Sequence, residues 1–171
     1  MKGVFAALFF IAGLTDMTTH HCPTGCLARS DSPKRLTIAA GPTLFQNKAG
    51  ENELFLRYEF GRKYGPFQPI AALSVAASKD AWVGLGAAWT ATIGKRDQLF
   101  VELSFMPGLY ALGDGPNLGS PLEFRSALVF GYEFYNGTRL ALSYDHRSNG
   151  ELARLNPGLE TVALRYSIPI R

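Results

Sequence analysis

A histidine, a serine and a glutamate near the C-terminus have the spacing of a hydrolytic site. His146 and Ser148 end one run of alternating apolar and polar residues, and Glu160 begins the next. Because successive side chains of a β-strand point to opposite faces, these residues share one face of two neighbouring strands. A serine nucleophile, a histidine base and a carboxylate that orients the base form a Ser-His-acid triad. The pattern predicts ester hydrolysis through an acyl-enzyme, with no metal and no cofactor.

Each residue of this set has a predicted role. Ser148 is the nucleophile, and His146, two residues earlier on the same face, takes its proton. Glu160 holds the imidazole in one tautomer and stabilises its cation. Asn149, together with the backbone N–H of Gly150, can donate hydrogen bonds to the oxyanion.

A second interpretation of the same residues needs no catalysis. His-x-Ser is a common pair, and both residues would also fit a polar strand end at a membrane surface, with Glu160 as a loop carboxylate. The other histidines lie in the predicted leader, so His146 is the only histidine of the predicted mature chain. Alternation puts Asp145 on the opposite face, which predicts a lumenal ion pair with Arg147 and argues against Asp145 as the catalytic acid.

Eight segments from residue 36 onward alternate apolar and polar side chains. They span roughly 36–46, 52–62, 68–77, 81–93, 97–107, 122–134, 138–148 and 159–170. Most have about the 9–11 residues with which a tilted strand crosses a bilayer. An even number of strands closes an antiparallel barrel without a free edge, as lipid requires. We therefore expect an all-β, eight-stranded antiparallel up-and-down transmembrane β-barrel.

Periodicity alone fits both a membrane barrel and a soluble one, which differ in the side that is apolar. Aromatic residues make up 12% of the chain and charged residues only 18%. The polar faces balance acids against arginines, which suits ion pairing in a narrow lumen; these are Glu53, Glu59, Glu102, Glu123, Glu133 and Asp145 against Arg57, Arg125, Arg139, Arg147 and Arg165. With the predicted leader, these features favour the membrane barrel. A soluble secreted barrel that binds an apolar ligand stays an alternative.

The connections predict where the triad lies. Residues 135–138 read as a tight hairpin turn, whereas 108–121 and 149–158 are longer. With both termini in the periplasm, the long loops fall outside the cell and the short turns inside, as such barrels prefer. The triad then lies at the outer leaflet, on the lipid-facing exterior.

Residues 1–28 are predicted to be a signal peptide. Lys2 precedes a dozen mostly apolar residues that end at Leu14, a run too short to span a bilayer. The best small-x-small cleavage signal ends at Ala28, which leaves 29–171 as an outer-membrane β-barrel esterase domain. A retained buried helix or membrane anchor is the alternative.

Two binding functions are disfavoured by the residues present. Cys22 and Cys26 lie beside His20 and His21, but no second Cys/His pair follows at zinc-finger spacing, so we expect no metal site there. The net charge is only +3, with no basic stripe interleaved with aromatic residues, so we expect no nucleic-acid partner.

The C-terminal part of the chain resembles a known family. His146-Arg-Ser-Asn149, the spacing to Glu160, and the terminal Tyr166-Ser-Ile-Pro-Ile170 look like the lipid A 3-O-deacylase family of Gram-negative outer membranes, the PagL type. The resemblance is specific over 138–170 and architectural over 36–134. One departure is Arg171, where outer-membrane barrels commonly end on an aromatic residue.

The resemblance implies both a substrate and a site. The substrate would be lipid A or lipopolysaccharide among outer-membrane lipids, and the reaction would hydrolyse the ester-linked 3-hydroxyacyl chain at position 3. The family's catalytic residues fall on His146, Ser148 and Glu160, and its oxyanion-hole asparagine falls on Asn149. A phospholipase, a different acyl position, a non-enzymatic structural or adhesive barrel, and a homodimer all stay open.

Overall fold

A computed structural model of the chain describes residues 3–46, 48–94 and 98–170. It begins with helix α1 (Val4–Asp16), a π-helical turn (Met17–His21) and a 3-10 turn (Cys22–Thr24). Ten strands follow: β1 (Arg29–Asp31), β2 (Lys34–Phe45), β3 (Lys48–Glu59), β4 (Arg62–Tyr64), β5 (Phe67–Ala76), β6 (Ala81–Ile93), β7 (Leu99–Ala111), β8 (Leu122–Glu133), β9 (Arg139–Ser148) and β10 (Leu159–Ile170). Residue 97, the predicted start of one strand, lies outside the described residues.

Eight of these strands close an antiparallel barrel. Their order is β5-β3-β2-β10-β9-β8-β7-β6, and β6 pairs again with β5. Each barrel strand therefore pairs with the strands before and after it in the barrel, and β10 returns to β2. The predicted eight-stranded up-and-down barrel is confirmed.

Two strand predictions need correction. The three-residue strands β1 and β4 pair with each other, and segments so short carry no detectable periodicity. Strand β7 also continues to Ala111, although residues 108–121 were predicted to be a loop. Pro107 and Gly108 are typical of a strand end, but Gly108 stays in the ladder, paired with Gly84 and Glu123, and the Trp82 ring packs against it. A Cβ on Gly108 would lie 2.5 Å from that ring.

The barrel is apolar outside and charged inside. Large apolar side chains remain exposed on its exterior, among them Leu54, Val83, Leu85, Leu109, Phe130, Leu142, Leu164 and Tyr166. The alternate positions turn into the lumen and are buried, among them Glu53, Arg57, Glu102, Glu123, Arg125, Asp145, Arg147 and Arg165. An apolar exterior around a polar interior is the arrangement of a membrane-spanning barrel, and it excludes a soluble barrel with an apolar interior.

Ion pairs fill the lumen, as the balanced charges predict. Arg57 lies 2.5 Å from Glu102, and Arg165 lies 2.6 Å from Asp145. The predicted partnership of Asp145 with Arg147 is wrong, because Arg147 pairs with Glu53 instead. Asp145 is instead paired with Arg165 and Arg125, which lie on the two strands beside β9.

Helix α1 lies against the outside of the barrel. The Phe5 ring contacts Tyr144 at 5.6 Å, and the Phe10 ring contacts Phe105 at 5.4 Å, measured between ring centroids. Within the described residues, no helix is both long enough and apolar enough to cross a membrane. Cys22 and Cys26 form a disulfide with each other, so neither thiol serves as a metal ligand in this structure.

Candidate active site

The ladder between β9 and β10 brings two of the predicted triad residues together. Glu160 is the direct cross-strand partner of His146, and directly paired side chains on one face lie within about 5.5 Å at Cβ. Ser148 follows His146 by two residues and so extends from the same face, roughly 7 Å further along the strand at Cα. Both strands end here at the long-loop end of the barrel, which we call the outer end.

His146 and Glu160 are in hydrogen-bonding contact. His146 Nδ1 lies 3.2 Å from Glu160 Oε1, and the two side chains are only 5% and 17% exposed. A carboxylate accepts a hydrogen bond, so the contact places the imidazole proton on Nδ1 and leaves the lone pair on Nε2. Nε2 is buried and has no hydrogen-bond partner among the described residues. The ring is therefore oriented as a base with its accepting nitrogen available.

A cavity of about 270 Å³ joins the histidine and the serine on the exterior of the barrel. His146, Ser148 and Gly150 line its polar side. Phe105 and Phe124, whose rings stack with centroids 5.7 Å apart, line its apolar side. The site thus sets a nucleophile and a base beside a wall that can hold an apolar chain. Gly3, directly before helix α1, and Ala6 and Phe10 within it close the remaining side.

Asn149 occupies a different position from the rest of the set. Its side chain is fully buried, and Nδ2 donates to the Leu118 carbonyl at 3.0 Å and to the Leu155 carbonyl at 2.7 Å. Both amide hydrogens therefore tie the two long outer loops together in this structure. Gly150, in the left-handed region with φ 64°, borders the cavity that contains Ser148. Of the two predicted oxyanion donors, Gly150 lines the cavity that contains Ser148, and Asn149 does not.

Sequence reasoning missed two residues of the site. Ser126 on β8 is the cross-strand partner of His146, is 3% exposed, and lines the same cavity. The predicted turn at 135–138 gives a register one residue away, since pairing 135 with 138 pairs residue 126 with residue 147. The observed pairing of Glu133 with Arg139 brings Ser126 opposite His146. Gly158 is the second: a Cβ there would lie 3.1 Å from His146 Cε1. No local pattern marks Gly158, because its closeness to the imidazole depends on the path of the 149–158 loop.

Replacing Gly158 with alanine should lower activity through the histidine. The new methyl group would press on the imidazole, and the φ of 75° is unfavourable for any residue with a side chain. We expect kcat to fall roughly tenfold to a hundredfold, because a displacement of about 1 Å can cost about that much. Gly137→Ala is the matched control, since Gly137 also has positive φ, at 81°, but lies at the opposite end of the barrel. Equal kcat values for the two variants would contradict a role for Gly158 in seating the imidazole.

Comparisons with known proteins identify a family and a fold. The family described as Lipid A 3-O-deacylase (PagL) matches residues 54–169, which is more than half of the chain. A lipid A deacylase PagL from Pseudomonas aeruginosa is 41% identical over 54 residues, covering 32% of this chain and 31% of that protein. The aligned part thus spans about a third of the curated relative's length.

Solved structures show the same fold. The crystal structure of the outer membrane enzyme PagL matches with a TM-score of 0.63 and 22% identity, covering 80% of this chain and 99% of that one. Neisserial surface protein A matches with a TM-score of 0.53 and 9% identity, covering 84% of this chain and 99% of that one. At these identities the likeness concerns the barrel and carries no information on the reaction.

Proposed function

The chain belongs to the lipid A 3-O-deacylase (PagL) family, and from that premise we propose that it hydrolyses an acyl ester of lipid A in the outer membrane. The observation that carries the proposal is the contact between His146 and Glu160 at the outer end of the barrel, on its lipid-facing side, beside Ser148. Lipid A presents its acyl esters at the boundary of headgroup and acyl chains, and a site at the outer end of the lipid-facing exterior would meet them there. We propose hydrolysis of the 3-hydroxyacyl ester at position 3.

The proposed chemistry is acyl transfer in two steps. His146 Nε2 takes the proton of the Ser148 hydroxyl as Oγ attacks the ester carbonyl carbon. The tetrahedral oxyanion collapses, the sugar oxygen leaves with the proton from His146, and the acyl group stays on Ser148. A water molecule, deprotonated by the same nitrogen, then releases the fatty acid and restores the serine. Glu160 holds the Nδ1–H tautomer and stabilises the imidazolium in each step. All three residues come from one chain, so the set needs no second copy.

Backbone and side-chain donors have distinct roles in this proposal. The N–H of Gly150 is the donor that we assign to the oxyanion, since Gly150 borders the cavity of Ser148. Asn149 holds in place the loops that position the Gly150 N–H, through its hydrogen bonds to the carbonyls of Leu118 and Leu155. The Asn149 amide donates a hydrogen bond to the oxyanion itself when substrate binding frees Nδ2 from the carbonyl of Leu118 or Leu155.

We also propose that residues 1–28 are removed on export. Helix α1 closes the cavity through Ala6 and Phe10, together with Gly3 before it, so a substrate acyl chain and the helix compete for the same space. Removal of the leader opens the cavity to the surrounding lipid. A mature chain that begins near Arg29 keeps every strand of the barrel.

Glu160→Gln should leave the fold intact and slow the reaction. The amide keeps the shape of the side chain but loses the charge that stabilises the imidazolium, and it can present a donor to Nδ1. We expect kcat to fall by about a hundredfold or more. Glu51→Gln is the matched control, because Glu51 is exposed on the same end of the barrel and outside the triad. Unchanged kcat in Glu160→Gln would remove the carboxylate from the mechanism.

The substrate can be tested with the purified protein. We would incubate it in detergent with lipid A and, separately, with diacyl phospholipid, and identify the released acid by mass spectrometry. Release of a 3-hydroxy fatty acid from lipid A alone is the expected result. Release of acids from the phospholipid alone would indicate a phospholipase, and release from neither would favour a structural barrel.

A further inference from the structure

A second groove lies on the exterior at the opposite, inner end of the barrel. A cavity of about 650 Å³ there is lined by Asp31, Lys34, Tyr58, Phe60, Gly61, Arg62, Tyr64 and Pro69. A narrower cavity of about 220 Å³ runs above it between apolar side chains that include Leu36, Leu56, Leu73, Val83 and Leu85. Tyr58 lines both cavities, so the two are parts of one surface that is polar at its base and apolar above.

The base of the groove carries charges of both signs. Lys34 and Arg62 are exposed cations that line it, and neither side chain forms an ion pair or hydrogen bond with the part of the chain that the structure describes. The stem of Lys34 lies over Gly61, since a Cβ on Gly61 would come within 2.9 Å of Lys34 Cγ. Asp31 lines the same cavity and is the direct cross-strand partner of Arg62. Two cations and one carboxylate in a single cavity complement a zwitterion that carries both a phosphate and an ammonium group.

The location fits the membrane boundary on that side. Tyr58 and Phe60 contact each other edge to face at 5.1 Å, and Tyr132 and Phe134 do so at 5.0 Å. These rings lie near the inner ends of β3 and β8, where a membrane barrel places an aromatic girdle at headgroup level. The groove therefore runs from the headgroup region into the hydrocarbon region. It opens to the leaflet opposite the one that contains Ser148.

We propose that this groove binds a glycerophospholipid of the inner leaflet with an ethanolamine headgroup. The phosphodiester lies between Lys34 and Arg62, the ammonium group faces Asp31, and one acyl chain follows the apolar groove past Tyr58. Both charged ends of the headgroup and the chain that follows them are thus matched by side chains on one wall. This site is separate from the deacylation site, and its occupancy does not depend on that reaction.

Native mass spectrometry of the barrel purified from outer membranes tests the proposal. The protein would be held in mild detergent with equal amounts of phosphatidylethanolamine and phosphatidylglycerol. We expect the wild type to retain one phosphatidylethanolamine at least threefold more often than phosphatidylglycerol. The Lys34→Gln/Arg62→Gln double variant should lose at least four fifths of the retained lipid. Asp31→Asn should keep the lipid but lose the preference for ethanolamine.

Lys63→Gln is the matched control. It removes the same charge one residue from Arg62, but Lys63 lies on strand β4 outside the lining of the groove. Retention at the wild-type level in this control, and unchanged lipid A deacylation in both Lys34→Gln and Arg62→Gln, would support a distinct site. Equal retention by the wild type and the double variant would overturn the proposal. So would displacement of the lipid by 10 mM inorganic phosphate, which would indicate a simple anion site.

Discussion

Ser148→Ala should abolish lipid A deacylation and leave the barrel folded. The variant lacks the oxygen that we propose as the nucleophile, and the hydroxyl is not part of any ladder hydrogen bond of β9. Removing the nucleophile of such a triad lowers kcat by at least about a thousandfold, with the residual rate arising from binding and oxyanion stabilisation. We would measure kcat on lipid A in detergent, with circular dichroism as the check on folding.

Ser126→Ala is the control for this experiment. Ser126 lines the same cavity and faces His146 across the ladder, so its loss makes a similar change in volume and polarity without removing the nucleophile. We expect a far smaller loss of kcat than in Ser148→Ala. A folded Ser148→Ala variant with activity within tenfold of the wild type would refute the proposed nucleophile.

Arg125→Leu should produce the largest loss of stability. Arg125 is 1% exposed and lies 2.7 Å from Glu53 and 3.5 Å from Asp145, and its guanidinium stacks 4.3 Å from the centre of the Phe55 ring. Leucine would leave both carboxylates with one cation fewer in a buried lumen. Breaking a buried ion pair from one side costs about 3–5 kcal/mol in the free energy of unfolding.

Urea unfolding in detergent, followed by tryptophan fluorescence, would measure this loss. Arg154→Leu is the matched control, because Arg154 is exposed in the loop between β9 and β10; its effect should stay within about 0.5 kcal/mol. A loss of under 1 kcal/mol in Arg125→Leu would show that Arg147 and Arg165 compensate for the missing cation.

The barrel was predictable because strand alternation is a local property. Along β3, for example, Leu54 points outside the barrel and Glu53 points into the lumen. A shift of the strand by one residue would bury Leu54 and expose Glu53. The same alternation placed His146 and Glu160 on one face and excluded Asp145 from it. The 3.2 Å contact between His146 Nδ1 and Glu160 Oε1 follows because the two residues share this face on neighbouring strands that one loop joins.

Features that depend on distant parts of the chain were not predictable. The lumenal partners Arg147 and Glu53 are 94 residues apart in sequence, so no local pattern could pair them. The hydrogen bonds by which Asn149 joins the loops at Leu118 and Leu155 were not predictable for the same reason. The strand at Gly108 was mistaken for a loop because the Trp82 ring that requires a glycine there lies on another strand. In each case tertiary packing decided the outcome.

Mass spectrometry of lipid A from cells that express the wild type or Ser148→Ala tests the central claim most directly. The account predicts that lipid A from wild-type cells loses the mass of one 3-hydroxyacyl chain. Lipid A from cells with the variant should keep it, at equal amounts of folded barrel in the outer membrane. Identical lipid A in the two strains, with both barrels folded, would contradict the assignment of this chain as a lipid A deacylase that acts through Ser148.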